Sequence, residues 1–126
     1  MRIFLIVITL FYFSFAQILE RDVKSAIVKI YSSAKEPNFK KPWISSTTRS
    51  SGSGAVIGKD LILTNAHVVA NTTFLEVQKY NSAKRYIAKV VAVSHELDLA
   101  LITTEDKSFF NNIKPLKIGS LPQTEE

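Results

Sequence analysis

The first sixteen residues are apolar almost without interruption, and beyond Gln17 the chain breaks into short alternations of apolar and polar side chains. Ala26-Ile27-Val28-Lys29-Ile30-Tyr31 is rich in β-branched residues and nearly alternates, which predicts a strand with one buried face. The pattern then disappears from Ser32 to Ser51, a stretch with Pro37, Pro42 and many Ser and Thr that reads as a long loop. Gly54-Ala55-Val56-Ile57 and Leu61-Ile62-Leu63-Thr64 predict two strands joined by a tight connection at Gly58-Lys59-Asp60. Phe74 to Tyr80 alternates, Asn81-Ser82-Ala83 supplies a turn, Arg85 to Val93 is a long strand, and Leu99 to Thr103 is the last. Six short strands with turn residues between them and almost no helical period predict an all-β antiparallel barrel or sandwich, between which pattern alone does not choose.

The N-terminal run has a different meaning. Arg2, an apolar stretch from Ile3 to Phe13, and the small residues Ser14 and Ala16 form the three-part pattern of a secretory signal peptide, with cleavage expected between Ala16 and Gln17. As a helix these residues would reach about 24 Å, short of the ~30 Å hydrocarbon core, so no stable membrane span is expected after cleavage; an uncleaved anchor is the other reading. The sequence therefore divides into a signal at residues 1–16, a lead-in at 17–25, a β-domain at 26–121 and a tail or linker at 122–126, and the protein is expected to be secreted or periplasmic.

Composition agrees with a packed domain: 46% hydrophobic and 21% charged residues. The net charge of +5, one unit of which leaves with Arg2, is spread along the chain with small clusters at Lys40-Lys41 and Lys84-Arg85. No basic helix or RNA-binding motif accompanies it, so no nucleic-acid partner is expected. With no cysteine there is no thiol nucleophile and no disulfide, and the two histidines lack an HExxH-type spacing, so neither a metal nor another cofactor is expected.

Three local sequences carry more. Ser51-Gly52-Ser53-Gly54-Ala55-Val56-Ile57, then Leu63-Thr64-Asn65-Ala66-His67-Val68-Val69, then Asp98-Leu99-Ala100-Leu101 about thirty residues on, together resemble the first half of trypsin-fold serine proteases of the HtrA/Deg family. The resemblance runs from about Ala26 to Leu121. Pro42-Trp43, Lys107-Ser108-Phe109-Phe110 and the segment Pro115 to Pro122 look most like the Deg proteases of plants and their bacterial relatives. It implies the fold as a six-stranded antiparallel barrel, the N-terminal barrel of a trypsin-like protease, and His67 and Asp98 as catalytic residues. Trp43 is read as a loop aromatic tucked against the barrel, and His95, which matches nothing in the motif, as a surface residue.

The residue types suit that chemistry. A serine hydroxyl needs a base that takes its proton and returns one to the leaving amine, and an imidazole with a reference pKa of about 6.5 can do both. That is His67. A carboxylate on the far ring nitrogen fixes the tautomer and stabilises the imidazolium, which is the part of Asp98. The family's nucleophile lies in a Gly-Asn-Ser-Gly-Gly sequence of a second barrel, and these 126 residues contain no such sequence. The expectation is therefore a protease fragment with no nucleophile or oxyanion hole of its own, inactive alone. Its partners would be protein or peptide substrates in the full-length family and a separately encoded second barrel, and the bare barrel is expected to self-associate. The alternative is a self-standing binding module of the export compartment with a relict His–Asp pair.

Overall fold

The computed structural model describes residues 22–37, 39–41, 43 and 45–121; the expected signal peptide, most of the lead-in and the 122–126 tail lie outside them. After a short helical segment at residues 22–26, six strands follow: β1 (Ile27–Pro37), β2 (Ser45–Val56), β3 (Ile62–Thr64), β4 (Thr72–Lys79), β5 (Arg85–Ser94) and β6 (Leu99–Thr104). A four-residue helix, α1 (Ala66–Val69), interrupts them after β3, and a 3-10 turn, Lys107–Phe110, comes after β6. The strands close into an antiparallel barrel in the order β1-β2-β3-β6-β5-β4, so the structure chooses the barrel over the sandwich.

Alternation along the strands fills the interior. Val28 and Ile30 of β1, Val56 of β2, Ile62 of β3, Leu75 and Val77 of β4, Ala88 of β5 and Ala100 and Ile102 of β6 form one buried cluster with Val68 and Val69 of α1 and Phe109. Three buried hydroxyls are each paired: Ser32 with the Ser50 hydroxyl at 2.6 Å, Thr64 donating to the Ser53 carbonyl at 2.9 Å, and Thr104 donating to the Asp106 carbonyl at 2.9 Å. These bonds offset the cost of taking polar groups out of water.

The stretch from Ser32 to Ser51 departs most from the sequence expectation. β1 and β2 pair without a break from Ile27↔Ala55 to Pro37↔Ser45, so most of the expected loop is strand. The alternation signal needs one buried face, and past Ser32 this ribbon has none: residues 46–51 are exposed, and β4 stops pairing with β1 at Ala34↔Thr72. Beyond that point β1 and β2 continue as a two-stranded ribbon, whose inward-pointing backbone groups pair with the other strand whatever the side chains. Trp43, on the connection between them, is 80% exposed and not tucked against the barrel, because the ribbon carries it away from the core.

The glycines of the Ser51-Gly52-Ser53-Gly54 sequence lie inside β2, with no positive φ at either, and are required by close packing. A Cβ on Gly54 would stand 2.9 Å from both Ile30 Cδ1 and Ile62 Cγ2 and 3.0 Å from the Leu63 carbonyl oxygen. That oxygen is backbone and cannot swing aside. Gly54→Ala is expected to destabilise the barrel by about 1–3 kcal/mol, as overpacking does, outweighing the smaller gain from a stiffer unfolded chain. A denaturant melt of the variant beside the parent checks this; equal midpoints would show that the barrel yields freely there.

Candidate active site

The register of β3 and β6 determines where the site forms. Thr64, the last residue of β3, pairs with Ala100 near the start of β6, so the segment after β3 lies beside the segment before β6. Asn65-Ala66-His67 is the first of these segments, and the 95–98 turn is the second. Residues more than thirty apart in the chain thus meet at one end of the barrel.

His67 is carried on α1, whose Ala66, Val68 and Val69 are buried while the His67 side chain faces outward, 70% exposed. Gly52 seats that helix: a Cβ there would stand 2.7 Å from Val68 Cγ2, so the absence of a side chain on β2 lets Val68 settle against the strand. Asp98 ends a turn in which its N–H donates to the His95 carbonyl at 3.3 Å. Its φ of 50° lies in the left-handed region, which an Asp adopts more readily than most residues.

The two side chains face each other, with His67 Nδ1 2.7 Å from Asp98 Oδ2. The second carboxylate oxygen is used as well: Oδ1 accepts the His67 main-chain N–H at 3.0 Å. Asn65 Nδ2 adds bonds to the Asp98 carbonyl at 3.1 Å and to Oδ2 at 3.2 Å. A carboxylate that accepts several N–H bonds is stabilised in its charged form. The His67 main-chain N–H is the largest cause, followed by its ring, with the Asn65 amide the smallest, and together they hold the Asp98 carboxyl below the ordinary carboxylate value against an opposing desolvation that outweighs the Asn65 bond alone.

A carboxylate whose folded value is lowered contributes stability above its unfolded pKa and loses that contribution as pH falls through the folded value. The Asp98 bonds are therefore expected to be fully formed from weakly acidic pH upward and to be lost only below the usual carboxylate range. Carbon-13 detection of the Asp98 carboxyl across an acid titration tests this, and a midpoint at or above the ordinary value of 3.8 would contradict it.

With Nδ1 directed at a carboxylate, that nitrogen carries the proton of the neutral ring, and the Nε2 lone pair is left as a proton acceptor on the exposed side. The arrangement can therefore take a proton from a hydroxyl brought to Nε2. His95 is exposed and contributes only its carbonyl to the Asp98 turn. Sequence reasoning did not single out Asn65 or Gly52 as parts of the site; Asn65 lies within the quoted motif, but its amide contacts depend on a turn 33 residues away. Among the described residues no group of three or more His, Cys, Asp or Glu could hold a metal, and no helix is long and apolar enough to cross a membrane.

Known proteins resemble this chain in sequence and in fold. Residues 52–126 match the model of the trypsin-like peptidase domain. A mitochondrial protease Do-like 4 of Arabidopsis thaliana is 39% identical over 103 residues, 81% of this chain and 20% of that protein. A serine protease DegP homolog of Plasmodium falciparum is 37% identical over 101 residues, 79% of this chain and 12% of that protein. An HtrA-type protease solved with a decapeptide superposes with a TM-score of 0.66 at 21% identity, covering 79% of this chain and 34% of its own, a likeness of fold. The chain spans less than half the length of the curated relatives it matches. A closed six-stranded barrel, the motif matches and these relatives agree: the chain belongs to the trypsin-like peptidase family, in its HtrA/Deg group.

Proposed function

We propose that this chain is the base-bearing barrel of a serine endopeptidase, with His67 as general base and Asp98 as the carboxylate that orients it. The observation that carries the reading is the 2.7 Å contact between Nδ1 and Oδ2, which leaves Nε2 free to take the proton of a serine hydroxyl and return it to the leaving amine. The nucleophile and the oxyanion-hole donors belong to a second barrel, supplied by sequence other than these 126 residues, and the substrates are proteins or peptides, as the decapeptide of the HtrA-type neighbour suggests. The chain alone does not hydrolyse peptides on this reading.

The surface beside the site supports a missing partner. Pairing of β5 with β4 ends at Ile87, so the remainder of β5 pairs only with β6 among the described residues. Val91 and Val93 of this segment, with Leu97 and Leu99 flanking Asp98, are between 41% and 70% exposed. Each large apolar side chain left in water forgoes roughly 1.5–3 kcal/mol of burial. Exposed apolar side chains along one strand and its turn suit an interaction surface, and we assign them to the second barrel; the bare chain self-associates through them. Residues 1–16 act as an export signal cleaved after Ala16, residues 26–121 are the barrel, and residues 122–126 are the start of an inter-barrel linker.

Mixing the chain with a serine-bearing second barrel from a Do-like relative tests the proposal. Peptide hydrolysis and labelling by a fluorophosphonate probe are expected to appear only when both barrels are present, and to depend on His67. Equal activity from the second barrel alone, or from a mixture containing His67→Ala, would refute it.

A further inference from the structure

The start of α1 is unusual in its capping. Asn65 occupies the N-cap position in extended conformation, φ −86° and ψ 148°, where an Asn side chain ordinarily accepts a hydrogen bond from the second or third helical N–H. Here the Asn65 side chain makes no capping bond. The N–H it would have served, that of His67, is taken instead by Asp98 Oδ1 from across the barrel end at 3.0 Å. The Asn65 amide is turned the other way, with its Nδ2 donating both to the Asp98 carbonyl at 3.1 Å and to Oδ2 at 3.2 Å.

An amide nitrogen has two hydrogens, and these two bonds use both. One holds the Asp98 main chain, whose left-handed φ of 50° is sparsely populated away from glycine. The other holds the same carboxylate oxygen that faces His67 Nδ1. A single side chain thus couples the backbone conformation of Asp98 to the direction of its carboxylate. The site is exposed, with side-chain accessibilities of 70% for His67 and 47% for Asp98, so little packing is available to hold the carboxylate in register. Directional hydrogen bonds must do it.

We infer that Asn65 is a positioning residue of the His67–Asp98 pair, giving up its own helix cap so that its amide clamps the Asp98 carbonyl and carboxylate and aims Oδ2 at His67 Nδ1. The functional meaning of the clamp rests on the proposed role of the pair, but its existence does not. Both can therefore fail separately: the clamp is read spectroscopically on the chain itself, whereas the proposed function is read by hydrolysis with a second barrel.

The discriminating variant is Asn65→Ser. Serine is as good an N-cap as asparagine, so it preserves the helix start, but its single hydroxyl proton cannot make both bonds to Asp98. The readout is the tautomer of neutral His67, from long-range proton–nitrogen-15 correlations of the imidazole. In the parent chain the ring is expected to be predominantly protonated at Nδ1. In Asn65→Ser it is expected to relax toward the mixed tautomers of an unconstrained imidazole, with an unchanged thermal melt. An unchanged tautomer in a folded Asn65→Ser chain would overturn the inference, because a mere helix-start residue is fully replaced by serine. Should that variant not fold, hydrogen exchange of the Asn65 side-chain amide in the unaltered chain decides: slowed exchange of both Nδ2 protons supports the clamp, and exchange of both at the rate of a free asparagine refutes it.

Discussion

In a two-barrel protease that contains this chain, Asp98→Asn is expected to lower kcat by about four orders of magnitude with little effect on folding. Asparagine keeps the size of the side chain and an oxygen for the His67 N–H, so the helix start survives. At the position of Oδ2, however, it places an NH2 group opposite His67 Nδ1 and Asn65 Nδ2, where the parent has an acceptor shared by two donors. The ring can then meet it only with Nδ1 unprotonated, which moves the proton of the neutral imidazole to Nε2 and removes the lone pair that serves as base. A tautomer reversal of this kind in a Ser-His-Asp triad has an effect on the order of 10⁴. Removing the base altogether by His67→Ala is expected to cost more, about 10⁶ in kcat, and the double variant to be no worse than His67→Ala, because the two residues act as one unit. Steady-state kinetics of the three variants with a common peptide substrate measure all of this. A loss of about tenfold or less in Asp98→Asn would remove the carboxylate from the mechanism.

Phe109→Ala is expected to be the most damaging single truncation for the barrel, costing about 3–5 kcal/mol. Phe109 is fully buried, the largest side chain so placed among the described residues. It stacks edge-on against Tyr86 and Phe110 with ring centroids 5.1 Å from each, and Lys79 Nζ lies 5.5 Å from its ring centre. The ring enters the core from the 3-10 turn after β6, whose start is fixed by Asp106: its carboxylate accepts the Ser108 N–H at 2.9 Å, and the Phe109 N–H reaches the Asp106 carbonyl at 3.2 Å. Alanine would leave a cavity at the centre of this ring cluster. A domain holds only about 5–15 kcal/mol in total, and this one also exposes apolar surface along β5, so the variant is expected to be largely unfolded or to melt far below the parent. Phe39→Ala is the control: that ring is 93% exposed, and its removal is expected to change stability by no more than about 0.5 kcal/mol. Comparable losses in the two variants would mean that Phe109 is not a core residue in solution.

By itself the sequence determined where one-sided strands run, because a strand with one face in the core must alternate. Ile27 to Tyr31 and Phe74 to Lys79 were legible for that reason, Leu99 to Thr103 as a short apolar run, and the barrel interior draws on their buried members. It also carried the candidate pair, since Asn65-Ala66-His67-Val68-Val69 and Asp98-Leu99-Ala100-Leu101 are local patterns with a recognisable chemistry. Only the tertiary structure decided the rest. The Ser- and Thr-rich half of the β1–β2 ribbon has no buried face to impose alternation, and its strand character comes from pairing across the ribbon, from Tyr31↔Ser51 to Pro37↔Ser45. The reason for Gly52 and Gly54 has no trace in one dimension; in three they are the places where α1 and the β1 and β3 side chains come too close for a Cβ. Asn65 is only one letter of the motif in the sequence, and its amide holds Asp98 because the register of β3 on β6 brings a left-handed turn within reach. Periodicity records what a residue does relative to its chain neighbours. Close approach and hydrogen bonds between distant segments exist only once the barrel has closed.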